Sequence, residues 1–438
     1  MTRARRGRVR HQIGSVAGVT ALTVLRRLVA PVYLPMVIAS IGTGMLIPVL
    51  PLALDAAGSS LTTTSLVLAA AGLGAVLGGL PAGRLIARIG ERRVMFGSLT
   101  MLAVTSVLLA PTDVAAVLIA LRLGAGAANI GLRLSRQTYV TRRVEPLQRG
   151  RAMSSIGGAF RIGLLIGPIV GGVLADSIGF TATFVAIGAV MAASMIPPAL
   201  RPADPPLTDH TTRAERAERA VRERSTGEGS TGERTPAARG SLLRDHGRLL
   251  LLAGIVPMLT MTVRDGRFVV LPLIGDELGL RPSVVGAVIS VGTAADLLLF
   301  PAAGWIMDRF GRLAALLPFY GLFAVGLGLL SVADSTTDVV VAGSIIGIGN
   351  GLGSGALLTL GSDLAPPGQP GPFLAAFAVM QDTGKVLGPI LVGVIGEQAG
   401  LDTAAAALAV LTVATAVWLV VVVGETSDGG GRLVRRVD

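Results

Sequence analysis

Residues 83–93, GRLIARIGERR, and residues 304–312, GWIMDRFGR, share one pattern of glycine and arginine. The two stretches are 221 residues apart, and the same separation relates motifs along both halves of the chain. The related pairs include Gly83 and Gly304, Arg88 and Arg309, Gly90 and Gly311, Asn129 and Asn350, Gly163 and Gly384, Gly167 and Gly388, and Pro168 and Pro389. One offset that holds without a gap across a whole half indicates a duplication, and duplicated membrane halves commonly enclose a substrate path at their interface.

The composition is that of a membrane protein. Apolar residues make up 51% of the 438 residues and charged residues only 15%. A hydrocarbon core about 30 Å thick needs roughly 20 apolar residues per helix. Long runs that are apolar on all sides favour lipid-embedded helices over surface helices or strands. The predicted spans are 30–54, 62–86, 93–111, 114–138, 151–175, 180–199, 248–274, 284–307, 313–332, 338–362, 372–396 and 403–424.

These spans predict an all-α integral membrane protein built from two pseudo-symmetric six-helix bundles. Six helices return the chain to its starting side, so the two bundles should be related by an axis along the membrane normal. The predicted parts are a lead (1–29), a first bundle (30–200), a charged linker (201–246), a second bundle (247–425) and a tail (426–438). Residues 1–27 imitate a secretory signal but lack a convincing cleavage site, so we expect an uncleaved lead.

The distribution of charge predicts the orientation. Arginines are concentrated before the first span and after the second and fourth, which places both termini and the linker in the cytoplasm. The opposite loops carry acids, with Arg281 as the exception: Asp55, Asp113, Asp176, Glu277, Asp334 and Glu397. The net charge of +11 then reflects topology and attraction to anionic lipids on the cytoplasmic side. Basic residues scattered over short loops disfavour nucleic-acid binding.

The chain resembles the major facilitator superfamily along nearly its whole length. Residues 304–312 are similar to the signature between the second and third helices of a half, and residues 83–93 are similar to its other copy. The resemblance implies a tight cytoplasmic turn whose charges latch the inner face shut; Ala87 stands where the family usually has Asp, and plain positive-inside loops are the alternative for that copy. The implied inner-gate residues are Gly83, Arg88, Gly90, Arg92, Arg93, Gly304, Asp308, Arg309, Gly311 and Arg312.

Two further stretches resemble motifs of this superfamily. The fifth span is similar to a stretch of antiporter-type members that is taken to bias motion toward export; a simple glycine–proline kink is the alternative. Its residues are Gly163, Gly167, Pro168, Gly171 and Gly172, and the eleventh span repeats Gly384, Gly388 and Pro389 at the same register. Arg122, followed by Gly126, resembles a motif linked to proton transfer, although Ala125 replaces the usual Gln.

Charged residues inside the spans are expensive and by default functional. The first half holds Arg122 and Arg161, with Arg133 and Arg136 nearer the cytoplasm, and no acid. The second half holds Arg264, Asp265, Arg267, Asp296, Asp382 and Lys385.

Lys385 is the only lysine of the chain, and Asp382 lies three residues before it, so the two can pair on one helix face. The offset places Asp382 opposite Arg161, which suggests that both face the central cavity. The alternative for the Asp382 and Lys385 pair is a structural ion pair between helices. Asp296 is the other candidate proton carrier, because a lone buried acid is readily neutralised.

We therefore predict proton coupling at Asp296, Asp382, Lys385 and Arg122. The predicted substrate contacts are Asn129, Arg161, Arg264, Asp265, Arg267, Asn350 and Gln381. The three charged residues of span seven could instead form an outer gate with first-half helices. Five interior cations against three acids favour an anionic or zwitterionic cargo, or pairing across the halves.

The sequence predicts a transporter rather than an enzyme. All three histidines lie in predicted cytoplasmic segments, no phosphate-binding loop occurs, and we expect neither cofactor nor metal. The predicted function is proton-coupled efflux of small amphipathic or antibiotic-like molecules by a plasma-membrane protein, which we expect to be a monomer. Uptake or exchange of a metabolite such as an organic acid or sugar, and a transport-dead sensor on the same fold, are the alternatives.

Overall fold

The computed structural model describes residues 28–110, 112–144, 146–200, 237–353, 355–366 and 370–426, and these form helices without any strand. The helices are α1 Leu34–Ala56, α2 Leu61–Ile89, α3 Glu91–Leu108, α4 Ala115–Arg143, α5 Pro146–Ala193, α6 Ile196–Ala199, α7 Ala237–Glu277, α8 Pro282–Phe310, α9 Arg312–Leu330, α10 Thr336–Leu352, α11 Ala356–Leu364, α12 Pro370–Ala399 and α13 Leu401–Trp418. Single π-helical turns, Val29–Tyr33 and Leu419–Val423, adjoin α1 and α13. Residues 1–27 of the predicted lead (1–29) and residues 427–438 of the predicted tail (426–438) lie outside the described residues.

The helices account for the predicted membrane spans. Within the described chain, nine helices are long and apolar enough to cross a membrane. One of them, α5, contains spans five and six as two limbs, 146–178 and 180–193, which meet at the non-helical Gly179. The two other predicted spans correspond to α3 and to α10, which has only 17 residues. The prediction of an all-α membrane protein is confirmed.

The duplication is visible in the backbone. Three glycines of the first half have positive φ angles, and the residues 221 positions later do as well. Glycine adopts such angles without the steric cost that a Cβ would bring, so it suits the ends of helices. The pairs are Gly58 and Gly279 (φ 73° and 74°), Gly90 and Gly311 (86° and 94°), and Gly179 and Gly400 (79° and 89°). Corresponding connections of the two halves therefore turn in the same way.

Two predicted boundaries differ from the structure. The tenth span, predicted as 338–362, is two helices, because α10 ends at Leu352 and α11 begins at Ala356 after Gly355, whose φ is 82°. Glycine disfavours a helix interior by about 1 kcal/mol per residue. The ring of Phe319 also occupies the space where Gly353 would carry a side chain. The second difference is that α7 begins at Ala237, inside the predicted linker 201–246; residues 201–236 lie outside the described part.

The two halves touch at one end of the molecule and separate toward the other. We call the end that carries Leu28 and Thr426 the terminal side, and the opposite end the distal side. Along α2, Ser65 packs against Gly393 of α12. About two helical turns further along α2, Gly72 packs against Val386. About two further turns along α2, a Cβ placed on Gly79 would meet no described atom within 4 Å.

The second contact line, between α5 and α8, shows the same divergence. Near the distal side, Gly172 packs on the backbone of Pro282, and Gly286 packs on the backbone of Pro168. A Cβ placed on Gly304, close to the terminal end of α8, would meet no described atom within 4 Å. The halves therefore contact closely near the distal side and diverge toward the terminal side, and we call the space between them the central cavity.

Candidate functional site

An ion pair joins the two halves inside this cavity. Arg161 of α5 donates from Nε to Oδ2 of Asp296 of α8 over 3.3 Å. The guanidinium of Arg161 also lies 4.4 Å from the ring centre of Phe300. Asp296 is only 8% exposed. The expectation that Asp296 is a lone acid is wrong, because its partner comes from the other half and could not be paired with it by sequence spacing.

A second acid lies between cations of both halves. Lys385 donates to Asp382 over 2.6 Å within α12, as the sequence predicts. On the other side, Nη2 of Arg133 of α4 lies 3.8 Å from Oδ2 of Asp382. Arg133 was not among the predicted site residues. Since Arg161 and Asp382 occupy equivalent positions of the repeat, each half contributes one such residue to a contact with the other half.

The charged residues of α7 contact mainly their own half. Arg264 donates to the backbone oxygen of Asn350 over 3.3 Å and lies 5.0 Å from the ring centre of Phe319. Arg267 lies 4.5 Å from the ring centre of Phe268, at a small cleft between α7, α8 and α10. Helix α7 is continuous from Ala237 to Glu277. The structure therefore gives no support to the alternative that these residues form an outer gate.

Longer-range interactions connect the two cross-half contacts. Arg264 and Arg267 both interact electrostatically with Asp296. Asp265 interacts with Lys385, with Asp382 and with both arginines of its own helix. The connected network has five cations and three acids: Arg133, Arg161, Arg264, Arg267 and Lys385 against Asp265, Asp296 and Asp382.

The comparisons with known proteins decide the family. A sequence model described as Major Facilitator Superfamily matches residues 32–263 and 253–433. The chain belongs to the Major Facilitator Superfamily. It is therefore a multi-pass membrane protein.

Individual relatives share the family with limited sequence identity. The chain is 28% identical to the multidrug export protein EmrB of Haemophilus influenzae over 173 residues, which are 39% of the chain and 32% of that protein. It is 30% identical to the MFS-type transporter ppzB of Metarhizium rileyi over 155 residues, 34% of the chain and 32% of that protein. The alignments thus span about a third of the length of each of these relatives.

Solved structures share the fold. A POT family transporter in complex with a thioalcohol-conjugated peptide superposes with a TM-score of 0.70 at 14% identity, over 90% of this chain and 96% of that one. The nucleoside transporter NupG gives 0.69 at 14% identity, over 88% and 97%. A bacterial homologue of the human lysosomal transporter Spinster gives 0.66 at 15% identity, over 90% and 94%.

Other polar residues inside the predicted spans have less obvious roles. Asn129 donates to Ala125 of its own helix over 3.2 Å, and Gln381 is half-buried. The Nε atom of Arg122 is buried and has no hydrogen-bond partner among the described residues. The same holds for Nε and Nη2 of Arg136, which is only 6% exposed and which the sequence placed nearer the cytoplasm. A buried guanidinium nitrogen without a hydrogen-bond partner is costly.

The two copies of the family signature behave alike. Gly83 and Gly304 lie inside α2 and α8, and the tight turn of each signature is made at Gly90 and Gly311. The basic residues before each turn, Arg88 and Arg309, lie in the last helical turn, where the macrodipole favours positive charge.

The charges of the signature interact within each half. Asp308 is 86% exposed at its side chain and pairs with Arg312 of its own half at 3.7 Å. Arg92 donates to the backbone oxygen of Pro198 over 3.1 Å, and Arg93 is exposed. The ion pairs of Asp308 and Arg312 lie within the second half and those of Glu91 lie within the first, so these pairs do not latch the two loops together.

An ion pair supports each signature loop, and the acidic and basic positions are exchanged between the two halves. Oε2 of Glu91 accepts from Arg142 over 2.8 Å, and Oε1 accepts from Arg143 over 2.7 Å. The equivalent positions of the second half hold Arg312 and Asp363, and these also pair at 2.8 Å. Burial raises the pKa of the Glu91 carboxyl, but the hydrogen bond from Arg143 and the charges of both arginines lower it more, so the pKa lies below its usual value.

The glycines of the fifth and eleventh spans allow close helix packing. Gly167 packs on Ile41 and Gly44 of α1, and Gly388 packs equivalently on Thr262 and Gly266 of α7. Small residues let membrane helices approach to backbone contact. The remaining glycines follow the same rule: Gly163 packs on Val37 and Ser40, Gly171 on Met45, Gly172 on Pro282 and Ser283, and Gly384 on Met258 and Met261. Pro168 lies inside the first limb of α5, and Pro389 lies inside α12.

Proposed function

We propose that this protein exports small amphipathic or antibiotic-like molecules in exchange for protons, by alternating access. The observation that carries the proposal is that two buried or half-buried acids, Asp296 and Asp382, each lie between helices of opposite halves and contact a cation from the first half. The multidrug export protein with partial similarity supports the direction and the class of cargo.

The geometry suggests how proton binding could drive the motion. While Asp296 is ionised, its attraction to Arg161 holds α5 and α8 together inside the cavity. At an effective dielectric constant of about 20, a contact pair is worth a few kcal/mol. Cargo that enters from the open terminal side displaces this contact, so the bundles can rock and expose the ionised acid to the other compartment, where it takes up a proton. The neutral acid then returns and releases its proton on the terminal side as the pair with Arg161 forms again, so protons move inward while cargo moves outward.

The same reasoning applies to Asp382, with one addition. Its carboxylate has a partner in each half, Lys385 and Arg133, so rocking can exchange the cross-half contact for a contact within α12. Arg122, which the family resemblance links to proton transfer, lies on the same helix as Arg133. We propose that the first-half cations act as a pair of movable counter-charges for the two acids.

The orientation follows from the loops. The arginine-rich loops lie on the terminal side and the acidic loops on the distal side, so we propose that the terminal side is cytoplasmic and attracts anionic lipids. The cavity of this conformation then opens to the cytoplasm, as export requires for loading. We propose a plasma-membrane location and a monomer, the usual state in this family.

The test is transport by purified protein in liposomes, with and without an imposed pH gradient and with a panel of anionic, neutral and cationic amphipathic compounds. We expect Asp296→Asn and Asp382→Asn each to reduce gradient-driven transport at least tenfold while exchange of cargo between the two sides continues, because the conformational change survives without its driving ion. Asp113→Asn, at an exposed acid of a distal loop, serves as the matched control. Full gradient-driven transport in both variants would place the coupling elsewhere.

A second candidate is uptake or exchange of an anionic metabolite. The observation that favours it is the excess of cations in the connected network, five against three. The same panel decides between the two, because this alternative requires an organic acid, and not an apolar amine or neutral amphiphile, to be the compound whose movement follows the proton gradient.

A further inference from the structure

Two hydrogen bonds cross between the halves at the distal side. The backbone N–H of Thr62, in the first turn of α2, donates to Oε2 of Glu397 of α12 over 3.1 Å. The backbone N–H of Ser283, in the first turn of α8, donates to Oδ2 of Asp176 of α5 over 3.2 Å. The first N–H groups of a helix have no partner within the helix, and the dipole at this end favours negative charge.

The two contacts are copies of one another. The 221-residue offset takes Thr62 to Ser283 and Asp176 to Glu397. Each half therefore sends one carboxylate to the start of a helix in the other half. Two-fold pseudo-symmetry between the halves explains this arrangement, because it produces the same carboxylate-to-helix contact in both directions.

The backbones meet at the same two places. Gly172 lies four residues before Asp176 and packs on the backbone of Pro282 and Ser283. Gly393 lies four residues before Glu397 and packs on Leu61 and Ser65. Residues four apart share a helix face, so one face of each helix provides both the close backbone contact and the capping acid.

We propose that Asp176 and Glu397 are paired distal latches that hold the distal side closed. When the halves separate there, both contacts break and four helix N–H or carboxylate groups must find water instead. On the terminal side, the ion pairs of Glu91, Asp308 and Arg312 each stay within one half, so these pairs do not hold the terminal side closed. The inference goes beyond the proposed function, because it concerns the balance of two conformations whatever the cargo or coupling ion.

The test measures that balance in the full-length protein without cargo or gradient. The native chain has no cysteine, so spin labels can be placed freely. One pair, Ala57→Cys with Leu278→Cys, reports the distal side, and a second, Arg84→Cys with Trp305→Cys, reports the terminal side. Pulsed electron paramagnetic resonance in nanodiscs then gives the populations of the two states.

We expect Asp176→Ala or Glu397→Ala alone to raise the ratio of distal-open to distal-closed molecules about threefold, and the double variant about tenfold, as expected for the loss of ordinary helix caps. The terminal-side distance should shorten in the same fraction of molecules. Asp176→Asn with Glu397→Gln should stay near the native ratio, because an amide oxygen can still accept the N–H. Asp113→Ala, at an exposed distal acid, is the matched control.

Three results would overturn the proposal: native distances in the double alanine variant, an equal shift in Asp113→Ala, or an amide variant that shifts as far as the alanine variant. A thermal unfolding curve for each variant separates a shifted balance from a damaged fold. Because the measurement needs no transport, a failed efflux assay would leave its outcome unaffected, and the reverse also holds.

Discussion

At the scale of single residues, the clearest product of the duplication is an ion pair found at equivalent positions of both halves, with the acidic and basic residues exchanged. Glu91 and Arg142 in the first half occupy the positions of Arg312 and Asp363 in the second, and both pairs have a contact of 2.8 Å. The position therefore requires opposite charges, and the order of those charges is free. Arg143, the second partner of Glu91, has no charged equivalent, because position 364 is Leu.

This comparison predicts the result of a charge swap. Glu91→Arg alone should lower the free energy of unfolding by about 2–3 kcal/mol, because three guanidinium groups then meet at a largely buried site. The triple variant Glu91→Arg, Arg142→Asp, Arg143→Leu copies the second half and should recover most of this loss. Thermal unfolding in detergent measures both. A triple variant no more stable than the single one would show that the two sites are not interchangeable.

Residue contacts could be predicted from sequence only where both partners lie on one helix. Asp382 and Lys385 are three residues apart, and their contact is found. The pair Arg161 and Asp296 depends on how two bundles dock, for which the sequence holds no spacing rule. The capping acid Asp176 was visible as a loop acid, but only the neighbouring helix start gives it a partner.

At the scale of helices, apolar runs locate the spans because lipid leaves the backbone no other partner than itself. Their ends are less predictable where glycine is frequent, as at the break between α10 and α11. The sequence offers two explanations for the glycines of α5, a motif that biases motion toward export and a simple glycine–proline kink. In the structure these glycines make close contacts between helices, since Gly167 packs on Ile41 and Gly44.

Packing at this contact predicts different outcomes for two similar substitutions. Gly167→Ala places a methyl group against the backbone of α1 and should destabilise the protein by about 1–3 kcal/mol. Gly79→Ala meets open space in α2 and should be neutral or stabilising by up to about 1 kcal/mol, since alanine favours a helix. Thermal unfolding of both variants in one detergent tests this. Equal losses would mean that glycine acts through helix flexibility and not through contact.

At the scale of the whole molecule, the sequence predicts the duplication but does not predict which conformation the two halves adopt. The same residues must form contacts in two arrangements of the halves, so a single sequence is compatible with either. In this structure the contact line between α2 and α12 holds at Ser65 and Gly72 and has opened at Gly79. Val379 of α12 lies about two helical turns before Val386 and is exposed. Rocking of rigid bundles should bring positions 79 and 379 together as the distal contacts part.

Crosslinking can detect that approach in a chain that has no native cysteine. We expect Gly79→Cys with Val379→Cys to react with a short, reducible bis-thiol reagent slowly at rest and severalfold faster in the double latch variant Asp176→Ala, Glu397→Ala, which favours the opposite arrangement. The crosslinked protein should not transport, and reduction should restore transport, because the bundles are then free to rock. Either single cysteine variant controls for the modification itself. Crosslinking that is complete at rest and leaves transport unchanged would contradict rigid rocking, since the two positions would then be adjacent throughout the cycle.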